Sequence, residues 1–205
     1  MKRIISRMLS EERHKIKNHI KYQKIYDRYL SKSKKHLDFG CGFGFFPYML
    51  ACEYPTMKVI GIERRREEIA NGKKRYNARN LTLIVSNKII GKFDTISCFN
   101  VLHEIVGDLN TYLKGFCSHL NPHGKIIIYD FRKVSKKKFK KFQLNPLVQE
   151  LRKNKIFKKK DLDEEYKEHN KWNIKQFVSM LEKAGFKKRE IKTEEVHLFY
   201  VGERK

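Results

Sequence analysis

Between residues 35 and 131 five short apolar runs alternate with longer stretches of helical pattern, and this alternation constrains the fold more than any other feature. KHLDFG, KVIGIE, LTLIVS, FDTISCF and KIIIYDF are rich in Ile, Val and Phe and short enough for buried strands. Phe45 to Glu53, Arg64 to Tyr76 and Leu109 to Leu120 read as helices. Parallel neighbours in a sheet need a long crossover connection, so strands alternating with helices build a parallel sheet with helices on both faces. The expected class is a doubly wound α/β fold. A further helix, Asn173 to Lys183, stops before Gly185 as a helix C-terminus should. KREIKTEEV and HLFYVGER follow with too little sequence between them for a crossover. They are expected to pair antiparallel, which makes the sheet mixed.

At 205 residues the chain suits one domain over 1–205, because single cores commonly hold about 100 to 200 residues. Two segments stand apart from the alternation: a basic helical extension over 1–34 and a basic insert over 132–171. Residues 1–36 carry 12 Lys or Arg against Glu11, Glu12 and Asp27. Ser10 followed by two acids is a good helix start. From there Ile16, Ile20, Tyr22, Tyr26, Tyr29 and Leu30 recur at helical spacing, which predicts a helix of about 20 residues. From Arg132 to Lys160, 13 of 29 residues are Lys or Arg against the single acid Glu150. Phe139, Phe142, Leu144, Leu147, Val148 and Leu151 offer that segment an apolar side.

The whole chain has a net charge of +24. An RNA partner, or a peripheral contact with an anionic membrane, would account for it. So would a composition rich in Lys, Ile and Asn throughout. The longest uncharged apolar stretch, Phe39 to Cys52, is shorter than the roughly 20 residues that span a bilayer. Cys41, Cys52, Cys98 and Cys117 are widely spaced and suggest neither a disulfide framework nor a zinc site. Reduced thiols in a cytoplasmic protein fit this best, with Cys98 a small core residue. The basic opening MKRIISRMLS lacks a hydrophobic signal core and reads as part of the mature protein.

HLDFGCGFGFFPYML, His36 to Leu50, places glycines at 40, 42 and 44 behind Asp38 and ahead of a helix. Such a turn lets a ligand approach the main chain. A P-loop would need Gly-Lys-Ser/Thr, and no lysine occurs between Lys35 and Lys58. A dinucleotide fingerprint starting at Gly40 would need glycine at 45, where Phe45 stands. What remains, D-x-G-x-G-x-G, resembles the first motif of the class I S-adenosylmethionine-dependent methyltransferases. Glu63 ends the next strand 19 residues after Gly44, where an acid would bind both ribose hydroxyls.

The resemblance implies S-adenosyl-L-methionine as cofactor and a seven-stranded sheet with a reversed last strand. Asp38, Gly40, Cys41, Gly42 and Gly44 would hold its amino-acid end and Glu63 its ribose, and the adjoining Arg64 is counted with the cofactor-binding residues. Asn87, ending LIVSN, would take the place of an acid that meets the adenine amino group; Asn100, at the end of the fourth strand, is read either as a contact to cofactor or substrate or as a strand-end turn residue. FDTISCFNVLHEI and LNPHGKIIIYDF look like the family's fourth strand with its loop and its fifth strand with its turn. LEKAGF and HLFYVGERK look like its closing helix and final strand. The V-L-H loop and L-N-P-x-G turn are closest to small methyltransferases related to quinone-biosynthesis enzymes.

On the acceptor side, His103 is placed either as a base that deprotonates the acceptor or as a wall at the methyl end. Asp130, ending the fifth strand, would either orient an acceptor or serve in a cap or ion pair. Tyr22, Tyr26 and Tyr29, with His169 and Trp172, are read either as substrate contacts in a lid or as helix packing. No metal-binding pattern is present. The absence of Asn/Asp-Pro-Pro-Tyr/Phe and of Pro-Cys weighs against two nucleic-acid base chemistries and leaves ribose or ring-nitrogen methylation open. A small-molecule acceptor is the expected substrate, tRNA or rRNA the alternative, and a non-catalytic cofactor-binding protein a third reading.

Overall fold

The computed structural model describes residues 10–146, 148–149 and 161–205, and for 10–18 the backbone path alone. Helix α1 spans Ser10–Leu30. Then come β1 (Lys35–Phe39), α2 (Phe45–Glu53), β2 (Lys58–Glu63), α3 (Arg66–Arg75), β3 (Leu81–Val85) and β4 (Phe93–Phe99). After a single 3-10 turn, Leu102–Glu104, follow α4 (Leu109–His119), β5 (Leu120–Phe131), α5 (Lys136–Gln143), α6 (Leu162–His169) and α7 (Ile174–Lys183). The hairpin β6 (Phe186–Thr193) and β7 (His197–Arg204) ends the chain.

The seven strands form one sheet in the order β3-β2-β1-β4-β5-β7-β6. The first five are parallel, and β7 lies antiparallel between β5 and β6. The reversal follows from the short β6–β7 connection, as read from the sequence. Parallel order turns around between β1 and β4, so the carboxyl ends of these two strands open a crevice between their diverging connections.

Strand side chains alternate between two cores. Leu37, Phe39, Ile96, Cys98, Ile126 and Ile128 face one core with Leu113 and Phe116 of α4 and Phe177 and Leu181 of α7. Val59, Ile127, Tyr129, Phe199 and Val201 face the other, under Tyr22, Tyr26 and Leu30 of α1 and Phe46 and Leu50 of α2. Cys98 is fully buried, as a core residue should be.

Helix α1 begins at Ser10 as predicted, but its apolar face differs. Ile20 is 64% exposed, while Ile25, outside the expected face, is buried. Tyr22 and Tyr26 are 3% and 0% exposed and form no lid. Tyr22 stacks on Phe199 at 4.2 Å, and its hydroxyl donates to Glu194 at 2.6 Å. Tyr26 sits among Phe46, Phe99 and Phe199. Burial of these large rings is what ties α1 to the sheet. In the basic insert Phe139 is buried and Leu144 is 66% exposed. Leu147 and Leu151 lie outside the described residues. Among the described residues no helix is long and apolar enough to cross a membrane.

Candidate active site

The glycine turn sits at the crevice between β1 and β4. Gly40, Gly42 and Gly44 have φ of 71°, 58° and 84°, a left-handed backbone that glycine adopts without strain. Gly40 is also sterically required, because a Cβ there would meet the Val101 side chain at 2.3 Å. The N–H groups of Gly40 and Cys41 donate to the Ile62 carbonyl at 2.9 and 3.0 Å, which pins the turn to the end of β2. Helix α2 starts directly after it with no side-chain cap, so its first amide groups point toward the turn.

A cleft of about 150 Å³ opens beside the turn. Gly40, Glu63, Arg64, Asn87 and Asn100 line it together with Ile62, Val101, Ile105 and Tyr112. Asp38 is buried, and Gly42 and Gly44 also lie outside the cleft lining. Cys41 turns its side chain away, into a small core with Ile69 and Leu83, so any contact it makes with a ligand in the cleft must use its main chain.

Glu63 is 4% exposed at the end of β2. Its carboxylate accepts from the Arg65 amide and Arg65 Nε, both at 3.0 Å, and from the Gly42 amide at 3.3 Å. Burial opposes its ionisation, but the Arg65 hydrogen bonds and charge, with the Gly42 amide, outweigh that and hold its pKa below the usual carboxylate range. An ionised Glu63 is an acceptor only, suited to a vicinal diol. Arg65 was not foreseen in the sequence, although it stands two residues beyond the predicted acid.

Asn100 is one of only two described non-glycine residues with positive φ, at 49°. Its Oδ1 is buried without a hydrogen-bond partner. A buried orphan acceptor is costly unless a ligand satisfies it. The cleft therefore offers ionised Glu63, an orphan carbonyl at Asn100, the Asn87 amide and a glycine turn with no room for a Cβ. This donor and acceptor set fits S-adenosylmethionine, which presents a diol, an adenine edge and a charged amino-acid end.

Next to the cleft, Asp130 is fully buried at the end of β5 and organises the loop after β4. Oδ2 accepts from the Val101 and Leu102 amides at 3.1 and 2.7 Å, and Oδ1 accepts from the Phe131 amide and His103 Nδ1, both at 2.7 Å. Burial raises its pKa, but the His103 charge and hydrogen bond, with the backbone amides, bring it below the ordinary value. With a carboxylate oxygen as its partner Nδ1 carries a proton, so the neutral form of His103 has its lone pair at Nε2. Among the described residues Nε2 has no hydrogen-bond partner.

His169 of α6 stacks on His103 with ring centres 4.5 Å apart. Burial and the neighbouring His103 charge lower its pKa to about 4, so it is neutral at pH 7. Phe131 stands edge-on to both histidines. The structure thus brings His103, Asp130 and His169 together, but Asp130 is fully engaged by the loop. Trp172 is not part of this group. It packs on Phe177 at 5.8 Å, while the preceding Lys171 donates to the His103 carbonyl at 2.5 Å.

The family model described as "Methyltransferase domain" matches residues 10–191. The chain belongs to the methyltransferase-domain family. Solved structures agree on the fold of this methyltransferase. The plantazolicin methyltransferase BpumL, in complex with a monoazolic desmethylPZN analog and SAH, is similar at a TM-score of 0.69 and 13% identity over 93% of this chain and 84% of that one. A SAM-dependent methyltransferase from Aquifex aeolicus reaches a TM-score of 0.64 and 18% identity over 89% of each chain. The magnesium protoporphyrin IX methyltransferase ChlM from Synechocystis PCC 6803, with bound SAH, reaches 0.65 and 14% over 96% of this chain and 84% of that one. No curated protein matches the sequence.

Proposed function

We propose that this methyltransferase transfers the methyl group of S-adenosylmethionine to an oxygen or nitrogen atom of a small-molecule acceptor, with His103 as the base. The buried Asp130–His103 pair beside the cleft carries the reading. Bound S-adenosylmethionine supplies a methyl carbon made electrophilic by its sulfonium, so the protein's task is to align partners, exclude water and manage one proton. Glu63 is assigned to the ribose hydroxyls, Asn87 to the adenine edge, and Asp38, Gly40 and Asn100 to the amino-acid end. His103 Nε2 takes the proton of the acceptor's hydroxyl or amine, and Asp130 stabilises the imidazolium that results.

The rings of Phe131 and His169 beside His103 favour a flat, largely apolar acceptor. A phenol-like group meets that description and agrees with the V-L-H loop and L-N-P-x-G turn. An RNA acceptor is the second reading. It is favoured by Lys136, Lys137, Lys138, Lys140 and Lys141, all exposed on α5, whose Phe139 and Phe142 pack toward His169 and Phe131.

The test is to incubate the protein and a total cell extract with methyl-labelled cofactor and then separate RNA, protein and small molecules. Label in the small-molecule fraction is expected, reduced about a hundredfold or more by His103→Gln if that residue is a general base. Label in RNA would replace the first reading with the second, and an unlabelled extract would refute both.

A further inference from the structure

Along β1 and β4 runs a line of buried polar side chains that, apart from Asp38 at its end, the reaction as described leaves without a role. The two strands are parallel neighbours in a register that sets His36 beside Thr95 and Asp38 beside Ser97. Their alternation turns Leu37, Phe39, Ile96 and Cys98 into one core and these four polar residues to the opposite face, where α1 and α2 pack. Apolar side chains would fill such positions without hydrogen bonds, and buried polar groups are costly unless paired. Here each is paired. Ser33 Oγ meets Thr95 Oγ1 at 3.0 Å, Thr95 Oγ1 meets His36 Nδ1 at 2.7 Å, His36 Nε2 meets Ser97 Oγ at 2.9 Å, and Ser97 Oγ meets Asp38 Oδ1 at 2.5 Å.

One end of this chain sets the direction of all of it. The Ser97 hydroxyl donates to Asp38 Oδ1. With its single hydrogen spent, Ser97 accepts from His36, which puts the imidazole proton on Nε2. His36 Nδ1 then accepts from Thr95, and Thr95 accepts from Ser33. From Thr95 to Asp38 every hydrogen points toward the carboxylate and the cofactor turn, while the Ser33 hydroxyl at the far end has the Lys35 carbonyl as a second acceptor at 3.4 Å.

We propose that Ser97 is a positioning residue for cofactor binding, holding the Asp38 carboxylate in place, and that His36, Thr95 and Ser33 fix the hydroxyl orientation with which it does so. The proposal rests on the reading that Asp38 meets the amino-acid end of S-adenosylmethionine. It makes the carboxylate preorganised, so that less orientational freedom is lost when the ligand binds.

The test compares two ligands by calorimetry: S-adenosylhomocysteine, and methylthioadenosine, which lacks the amino-acid end. Ser97→Ala should weaken S-adenosylhomocysteine about tenfold, the loss of one hydrogen bond to a charged group. Methylthioadenosine should change less than about twofold, since a loosened fold would weaken both ligands alike. Nitrogen-15 NMR of the unmutated protein should show His36 protonated at Nε2 and bare at Nδ1, and this readout needs no variant to fold. The reverse tautomer, or equal losses for the two ligands, would overturn the proposal. Asp38→Asn separates it from the reading beneath it. If that variant weakens S-adenosylhomocysteine and Ser97→Ala does not, the positioning role alone falls; if Asp38→Asn changes nothing, both fall.

Discussion

Acidification from pH 7 to pH 5 should destabilise this protein through His36, a histidine with no exposed surface. Burial lowers its pKa to about 3 in the folded chain, against about 6.5 when unfolded. Between those values the unfolded chain binds a proton that the folded one refuses. Stability from this group is therefore fully present above the unfolded pKa and is lost as pH falls toward the folded one. At pH 5 the loss integrates to about 2 kcal/mol. His169, lowered to about 4, adds a similar loss of about 2 kcal/mol by the same relation. The depressed carboxylates, Glu63, Asp94, Asp108, Asp130, Glu194 and Glu203, lose their contribution at lower pH, as it falls through the carboxylate range, so the window reads mainly the histidines. Urea unfolding at pH 7, 6 and 5 should show His36→Gln losing about 2 kcal/mol less than the parent between pH 7 and pH 5, with the remaining histidines cancelling in the difference. Equal losses in both proteins would refute the account of His36 as a neutral buried imidazole.

Three further outcomes follow from the geometry. Gly40→Ala puts a Cβ within 2.3 Å of the Val101 side chain at a φ of 71°, and should cost about 1–3 kcal/mol in thermal or urea melts; Val101→Ala in the same chain should recover part of that. Asp130→Asn, which no longer favours the Nδ1–H form of His103, should lower kcat about a hundredfold or more while leaving the Kd for S-adenosylhomocysteine within about threefold. An unchanged kcat would remove His103 from acid–base work. Tyr22→Phe deletes one of three side-chain hydrogen bonds to Glu194 and should cost about 1 kcal/mol with no loss of methyl transfer; a large loss of rate would return α1 to a role at the substrate.

Alternation and turn chemistry were legible because they are local. The strand runs, the helix start at Ser10, the stop before Gly185 and the reversed hairpin all depend on residues close in sequence. The D-x-G-x-G-x-G turn and Glu63 were readable for the same reason. The positive φ of such a turn calls for glycine, and the acids stand at strand ends that the hydrophobic pattern marks.

What only the tertiary structure decided are relations between segments far apart in the chain. Tyr22 and Tyr26 have the spacing of an amphipathic face, but whether such a face meets substrate or core depends on what lies opposite. Phe46, Phe99 and Phe199 lie there, and they make it core. Asp130 and His103 are 27 residues apart, and their pairing exists because β5 lies beside β4. His36 and Asp38 alternate with core residues in β1, as Thr95 and Ser97 do in β4, but a linear pattern carries no register. The sequence by itself determined which elements form and what kind of ligand the glycine turn can hold, because hydrophobic period and backbone conformation are properties of neighbouring residues. The register of two parallel strands turned four scattered polar residues into a line ending at Asp38, and only the folded sheet sets that register.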